Sequence, residues 1–445
     1  MDSHFVRYGT AAEQRCMKDC RHTYDGVVIN GNTLAYTPRA ISMFVHSDVA
    51  NKKYFVDPKT HSFQHDLEKI TNKQGAIKSS VRKLIDIYGE PISTAILKEL
   101  RPVKKEDFAS PKTIRAYVKK VLEFQYDYAK NIDDQYREYV EYSDYGKKRP
   151  FVLIAPYFYL DHVNWKDWRD LNSEMIRVSM EHKERFGGTP IFGQLVIDKE
   201  LLMKGGFLDN ILEAYRKADG LVYWIDGFDE TEAGLGELKQ VQRMIKRYKE
   251  ENGKKVFSLY GGYFSELLTK GGLDGVVHGL GYGEDRDVVP VGGGIPLSKY
   301  YLPALKKRIP ANRMIAILKM LGINSADNFH RNICSCRVCK EIIQGNGEMF
   351  FASFNRFIRS KPKIIEYKRS GRVRVREIYY PETESKLLCL CHYLEVKNKE
   401  FKEVEKTGTE TLINQLDGAQ KKYRNCFQPN ELSYLDYWGQ AISSG

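Results

Sequence analysis

The stretch "PIFGQLVIDKELLMKGGFLDNILEAYRKADGLVYWIDGF", residues 190–228, reads as strand, helix, strand. Its two ends, "PIFGQLVID" (190–198) and "GLVYWIDGF" (220–228), are continuously apolar rather than alternating. That pattern suits strands buried on both faces, as in a parallel sheet covered by helices. Between them "LDNILEAYRKA" (208–218) carries apolar residues at helical spacing, so the stretch is one β-α-β unit.

Working outward, the same signature recurs. "GVVING" (26–31), "ISMFVHS" (41–47), "KYFVD" (53–57), "FVLIAPYF" (151–158), "KVFSLYGGYF" (255–264) and "DGVVHGLGYG" (274–283) read as further strands, and "LGELKQVQRMIKRYKEE" (235–251) as a further amphipathic helix. Eight such runs, mostly separated by helices and without a Gly-rich dinucleotide fingerprint, favour an α/β (β/α)8 TIM-type barrel over an open doubly wound sheet. The barrel is expected over residues 1–300, with a charged helical insertion at about 65–150. Beyond residue 300 the alternation stops, and residues 301–445 are expected to form a C-terminal zinc-binding subdomain with a basic hairpin at about 355–378.

The chain has 445 residues and a net charge of +12, from 70 basic and 58 acidic residues. No apolar run approaches the ~18–20 residues of a membrane span, and the N-terminus has no apolar signal region, so an intracellular protein without a membrane partner is expected. Between Arg356 and Arg376 there are nine Lys or Arg and one Glu. A field that concentrated favours phosphate, and Lys363, Lys368, Arg369, Arg372, Arg374 and Arg376 are the candidate nucleic-acid contacts.

Seven of the eight cysteines cluster, as 334/336/339, 389/391 and 16/20. In a reducing compartment such clusters read as metal ligands rather than disulfides. "CSCRVC" supplies Cys334, Cys336 and Cys339, and tetrahedral zinc needs a fourth ligand. The candidate lies 53 residues on, in "LLCLCHYLEV". His392, expected to open a helix, is favoured over its neighbours Cys391 and Cys389. Three cysteines and one distant ligand leave no open position, so this Zn2+ is expected to be structural.

Barrel enzymes carry their chemistry at the C-terminal ends of strands. Those exits supply Asp57, Asp161, Gln194, Asp198, Asp226, Asp229, Glu230, Gly261, Gly262, His278, Glu284 and Asp287. So many carboxylates imply a site built on them, although an acidic residue ending a strand also caps helices.

The order of these features, a parallel barrel with acidic strand exits followed by C-x-C-x-x-C and a downstream His, resembles the tRNA-guanine transglycosylases and their relatives that insert 7-deazaguanines into DNA. "YFVDPKTHSFQ" is similar to the family's strand ending in Asp followed by Phe-Gln, here Asp57, Phe63 and Gln64. "PYFYLD" stands where the family has a base-recognising Asp, here Asp161, and "IFGQLVID" supplies Gln194 as the base-contacting Gln. "SLYGGYF" stands in the place of the Gly-containing seventh strand, with Gly261 and Gly262. Where the family carries its nucleophilic Asp on the last strand, this chain has His278, with Asp274 at the strand's start and Asp226 across the barrel.

The resemblance implies exchange of guanine for a 7-deazaguanine of the 7-cyano-7-deazaguanine type at a nucleoside C1′. Asp57 is then the acid/base, and Asp226 or Asp274 the nucleophile. Phe63, Asp161, Gln194, Gly261 and Gly262 bind the base, and Tyr157, Tyr260 or Tyr263 stack on it. DNA is favoured over tRNA, because the chain departs from the tRNA-type catalytic strand and carries a basic insertion. A homodimer is compatible with this reading. The competing readings are a tRNA enzyme, a non-catalytic zinc-containing nucleic-acid-binding protein, and a glycosidase-type hydrolase.

Overall fold

The computed structural model describes residues 4–128, 148–281, 283–289, 298–369 and 372–443. The chain divides into two compact units, residues 1–8 with 25–290, and residues 9–24 with 291–444. Residues 9–24, which the sequence reading leaves in the barrel, group with the second unit.

The first unit is an eight-stranded parallel barrel. Its strands are β1 (His4–Arg7), β2 (Gly26–Asn30), β3 (Lys53–Asp57), β4 (Leu153–Ile154), β5 (Ile191–Asp198), β6 (Gly220–Asp226), β7 (Lys255–Leu259) and β8 (Gly275–His278). Each pairs in parallel with its successor from β4 to β8 and from β1 to β3, and β8 pairs with β1. At the remaining edge the backbone N–H of Phe151, just before β4, donates to Tyr54 O on β3 at 2.6 Å. The sheet is thereby nearly closed. Helices such as Trp165–Glu181, Phe207–Tyr215 and Leu235–Asn252 follow β4, β5 and β6.

One run of the sequence reading is corrected. "ISMFVHS" is helical, within Pro38–Met43 and the π-helical turn Phe44–Asp48. Ile41, Phe44 and Val45 are buried while Met43 is exposed, which is helical rather than strand spacing. A short apolar run does not distinguish a buried strand from a buried helix turn. Pro38 at the first helical position is the overlooked signal. The eighth strand is instead β1, "HFVR", at the very N-terminus.

The barrel interior is filled by alternate residues of each strand, among them Phe5, Val28, Phe55, Ile154, Phe192, Val196, Val222, Trp224, Phe257, Leu259 and Val277. Phe257 meets Phe5 at 5.6 Å and Phe192 at 5.9 Å between ring centroids. Three of these phenylalanines lie opposite a glycine on the neighbouring strand: Phe5 on Gly26, Phe192 on Gly220, Phe257 on Gly275. A methyl group at any of these glycines would overlap the paired ring. The glycines that open β2, β6 and β8 therefore make room for the aromatic floor. Truncating Phe257 to Ala would cost about 3–5 kcal/mol.

Between β3 and β4 the helices Ser79–Tyr88 and Pro111–Tyr126 occupy the expected insertion, and its continuation through 129–147 lies outside the described residues. In the second unit the helix Ala11–Asp19 joins the hairpin β9 (Lys299–Leu302) and β10 (Lys307–Pro310), the hairpin β11 (Ser360–Arg369) and β12 (Arg372–Pro381), and the long helix Thr383–Lys406. Among the described residues no helix is long and apolar enough to cross a membrane.

Candidate functional site

Strand alternation aims Arg7, Asn30, Asp57, Gln194 and Asp226 to the same side as the interior residues two positions before them. All but Gln194 stand at or next to the C-terminal ends of their strands. This is the end at which such barrels do chemistry.

Asp57 is buried, and its Oδ1 accepts the Tyr157 hydroxyl at 2.6 Å and the Lys59 N–H at 3.0 Å. Tyr157 in turn lies 2.9 Å from His61 Nδ1, and His61 Nε2 lies 3.3 Å from Lys59 Nζ. Burial, then the nearby Lys59 charge, holds the His61 pKa well below its ordinary value, so the ring is neutral. Tyr157 spends its proton on Asp57, so its oxygen can only accept from the N–H of the neutral ring, and Nε2 is left to accept from Lys59. Nδ1 then carries the proton and donates to Tyr157, whose own proton goes to Asp57. Four side chains thus form one directed chain, Lys59 to His61 to Tyr157 to Asp57.

Lys59 closes the loop. Its Nζ is 3.9 Å from Asp57 Oδ2 and 4.7 Å from the Trp224 ring centroid. Desolvation lowers its pKa to about 7, against an opposing contribution from Asp57. Its backbone is left-handed, φ 57°, as is that of Tyr260 at the end of β7, φ 67°. Each such residue stores about 1–3 kcal/mol of strain, and such residues gather at functional sites. Two guanidiniums, those of Arg7 and Arg286, lie 4.9 and 5.8 Å from the Tyr260 ring centroid.

The second carboxylate is held in parallel fashion. Asp226 Oδ2 accepts the Tyr159 hydroxyl at 2.9 Å and Oδ1 the Val288 N–H at 2.7 Å. Burial raises its pKa, against these hydrogen bonds, with the negative charges of Asp287 and Asp198 adding to the rise. Tyr157 and Tyr159 are alternate residues of one extended segment, while Phe158 between them turns away to Phe108 and Trp168. The turn after β3 fixes that segment at two points. The Thr60 hydroxyl bonds the backbone of Tyr157 on both sides, and the Gln64 amide spans the N–H and C=O of Tyr159.

Among the described residues, several buried polar groups of the interior lack a hydrogen-bond partner, including the Tyr260 hydroxyl. Asp57 Oδ2 and both polar atoms of the Gln194 amide have no hydrogen-bond partner among the described residues. Buried polar atoms are almost always paired, so these mark where a polar ligand or water belongs.

The other expected site residues are engaged in turns, caps and packing, Asp198 among them although it is the strand partner of Asp226. Asp161 Oδ1 accepts the N–H groups of Val163 and Asn164, and Asp198 caps the following helical turn through Glu200 N. Asp229 closes a turn on Thr231. Phe63 packs on Tyr88, in the helical insertion. Gly261 and Gly262 fit tightly against Ser265 and Glu230, respectively. Buried Glu230 accepts from the N–H groups of Gly262, Phe264 and Ser265 and from the Ser265 hydroxyl. Gly262 makes room for the protein's own Glu230 carboxylate and Gly261 for the Ser265 side chain.

His278 alternates with the interior-facing Val277 and turns outward, its Nδ1 2.6 Å from Gly261 O and its Nε2 4.0 Å from Glu266. Asp274 lies before β8, at the opposite end of the barrel from Asp57, paired with Lys249 at 2.8 Å and accepting the Val256 N–H. Neither joins the two mouth carboxylates. The sequence reading passed over Lys59, His61 and Tyr159, although "DPKTH" sets Asp, Lys and His two residues apart on one turn.

In the second unit, Cys334, Cys336, Cys339 and His392 converge and are all buried. The three Sγ atoms lie 3.8, 3.3 and 3.4 Å from His392 Nδ1. On the other side of the ring, Nε2–H donates to Tyr301 O at 2.7 Å, which fixes the tautomer that leaves Nδ1 free to coordinate. The Tyr300 ring stacks on His392 at 4.1 Å, and its hydroxyl lies 3.2 Å from Cys339 Sγ. The backbone N–H groups of Cys336 and Cys339 point at the Cys334 and Cys336 sulfurs. This donor set can hold a metal ion with its shell complete. His392 lies well inside its helix rather than opening it. Of the alternative ligands, Cys389 bonds Phe357 O, and Cys391 belongs to a separate sulfur group.

The basic segment is the antiparallel hairpin β11–β12. Its register pairs Lys361 with Tyr380, Lys363 with Ile378 and Ile365 with Arg376. Paired residues share a face, so Lys361, Lys363, Arg374 and Arg376 line one side. All four are exposed. The side chains of Lys368, Arg369 and Arg372 lie outside the described residues.

Fold and sites together define a class: a parallel (β/α)8 barrel with two tyrosine-held carboxylates at its mouth, continued by a unit with a buried Cys3His cluster able to bind a metal. Compared with known proteins, the chain matches no family model, and no curated protein matches it.

Proposed function

We propose that the protein is a nucleic-acid guanine transglycosylase that exchanges guanine for a 7-deazaguanine base, with DNA as the favoured substrate. The observation that carries this reading is the set of buried unsatisfied polar atoms, Asp57 Oδ2 and the Gln194 amide, inside an aromatic-lined barrel. A purine is flat, with polar groups on its edge, and suits both features.

Base exchange at C1′ needs a carboxylate facing the sugar carbon and a second group that moves a proton to and from the base. In this reading Asp226 forms a bond to C1′ while the C1′–N9 bond breaks and its electron pair goes to the departing guanine. Asp57 gives that guanine a proton. Asp57 then takes the N9 proton of the incoming 7-deazaguanine, whose N9 attacks C1′ and releases Asp226. No net proton is gained or lost. In this reading the base would lie against Trp224 and Tyr260, whose ring centroids are 4.7 Å apart, and Arg7 and Arg286 would be cations for the backbone phosphate of a flipped-out nucleotide.

The Cys3His cluster is best read as a structural zinc site. Tetrahedral zinc with bonds of about 2.3 Å to sulfur and 2.0–2.1 Å to nitrogen sets S and N about 3.6 Å apart, which the observed 3.3–3.8 Å brackets. The basic face of the β11–β12 hairpin supports a nucleic-acid partner, since a two-stranded ribbon fits the major groove.

The test is incubation with 7-cyano-7-deazaguanine and either plasmid DNA or tRNA, followed by nucleoside mass spectrometry. Incorporation into DNA is expected. Incorporation into tRNA alone reassigns the substrate, and incorporation into neither removes the reading.

A further inference from the structure

Apart from the Cys3His cluster, three more sulfurs converge in the second unit. Cys16 and Cys20 stand one turn apart, on the helix Ala11–Asp19 and at its C-cap, and Cys391 projects from the helix Thr383–Lys406. Their Sγ atoms all lie within 4.8 Å of one another. All three are buried, and none is in a disulfide. A lone buried cysteine is commonly a small hydrophobe. Three sulfurs drawn together from two helices far apart in sequence are a different case, because thiols gain little from one another and metals gain much from three of them.

The surroundings supply a second observation. Arg337 directs Nη2 at Cys20 Sγ, 3.7 Å away. It is held there by Glu395, whose Oε1 accepts its Nε–H at 2.9 Å and lies 3.1 Å from His22 Nε2. Glu395 follows Cys391 by one turn of the same helix, so both face the group. A guanidinium set against a buried sulfur suits a thiolate, the ligand form of cysteine.

We propose that Cys16, Cys20 and Cys391 form a second, mononuclear metal centre for a thiophilic ion of the zinc class. The spacing selects the nuclearity. A single tetrahedral ion with bonds of about 2.3 Å holds its sulfurs about 3.8 Å apart. An iron–sulfur cubane attaches its thiolates to separate irons and spreads them wider than the observed 4.8 Å limit. Three protein ligands leave one coordination position to a non-protein ligand.

The two centres are neighbours along the chain at two points. Cys391 of the second precedes His392 of the first, and Arg337 beside the second follows Cys336 of the first. The second centre tethers the helix Ala11–Asp19, which the chain supplies between two barrel strands, to the long helix of the second unit.

The test is the metal content of the full chain by elemental mass spectrometry, for wild type and for Cys16→Ser/Cys20→Ser. Two equivalents of zinc are expected in wild type and one in the variant. One equivalent in wild type, retained unchanged in the variant, overturns the proposal, and so does iron with acid-labile sulfide. A readout that does not depend on the variant folding is cadmium NMR of cadmium-loaded wild type. Two resonances are expected, and a single one overturns the second centre.

Discussion

The Tyr157 hydroxyl lies 2.6 Å from Asp57 Oδ1, and Tyr159, two residues on, holds Asp226 in the same way. One extended segment therefore fixes both mouth carboxylates, from β3 and from β6. Each carboxylate keeps a defined orientation while being served by a donor that is itself locked in place by Thr60 or Gln64. For Asp57 the consequence is specific. Oδ1 is occupied by Tyr157 and Lys59 N–H, so Oδ2 is the oxygen left for a ligand.

Asp57→Ala should abolish exchange of labelled guanine while leaving nucleic-acid binding close to wild type. Tyr157→Phe keeps the ring and removes the hydrogen bond that Asp57 accepts once it has given its proton to guanine and is charged, worth about 1.5–3 kcal/mol. Guanine exchange should fall by about 10–100-fold in kcat with little change in KM. Wild-type kcat in Tyr157→Phe would show that the hydroxyl does not orient the carboxylate.

Lys59 gives a pH dependence with a definite sign. Its pKa is lowered to about 7 by desolvation in the folded protein, against an ordinary value of 10.5. Between those values the unfolded chain binds the proton and the folded one does not, so stability rises with pH across that window. Below about pH 7 the lysine is charged in both states and its burial cost is fully felt. Relative to Lys59→Met, wild type should gain stability from pH 7 to pH 10, by at most about 1.4 kcal/mol per unit. Urea denaturation at several pH values measures this, and a pH-independent difference between the two proteins excludes Lys59 as the titrating group.

Much of the fold is legible in the sequence, because continuous apolar runs broken by amphipathic helices leave few alternatives. The errors have local causes. "HFVR" is too short to register as a strand, and "ISMFVHS" is apolar enough to imitate one. The Cys3His cluster is legible because its ligands are rare residue types at fixed spacing. The mouth is only half legible. Asp57, Gln194, Asp198 and Asp226 stand on interior-facing positions of recognisable strands, yet Asp198, like Asp161 and Asp229, spends its carboxylate on a turn or cap. No spacing rule separates the two groups, since capping and catalysis use the same residue at the same strand exit. Lys59 and His61 were missed because their roles depend on a turn that brings them back onto Tyr157, nearly a hundred residues away.

Gln194 sets stability against binding. An unsatisfied buried amide costs about 1–3 kcal/mol, so Gln194→Leu, of similar volume, should raise stability by roughly that amount. The same change should weaken binding of guanine to the free protein, read by calorimetry. A destabilised Gln194→Leu would mean that the amide has partners in solution.

The basic hairpin face is testable through salt. Each phosphate contact contributes a slope of about −0.9 to log K against log salt for duplex DNA. Arg374→Ala/Arg376→Ala should weaken binding of any duplex sequence and reduce that slope by about 2, measured by fluorescence anisotropy over a salt series. An unchanged slope removes these two arginines from the interface.

If the Cys3His cluster holds the proposed structural zinc, His392 is where metal and fold meet in the second unit. Its Nδ1 closes the Cys334/Cys336/Cys339 set, its Nε2–H reaches Tyr301 O, and Tyr300 stacks on its face. The ring thereby ties the strand β9, the C-x-C-x-x-C turn and the long helix together. Binding of a structural zinc is folding free energy, of the order of 10 kcal/mol. His392→Ala, or removal of the metal with a chelator, should therefore strip hydrogen-exchange protection from Thr383–Lys406 and β9 while β5, β6 and β7 keep theirs. The contrast is expected because the barrel core of Phe5, Phe192 and Phe257 includes no residue of the cluster. Protection lost equally in both units would mean that they fold as one, and protection kept in both would mean that packing alone holds the second unit.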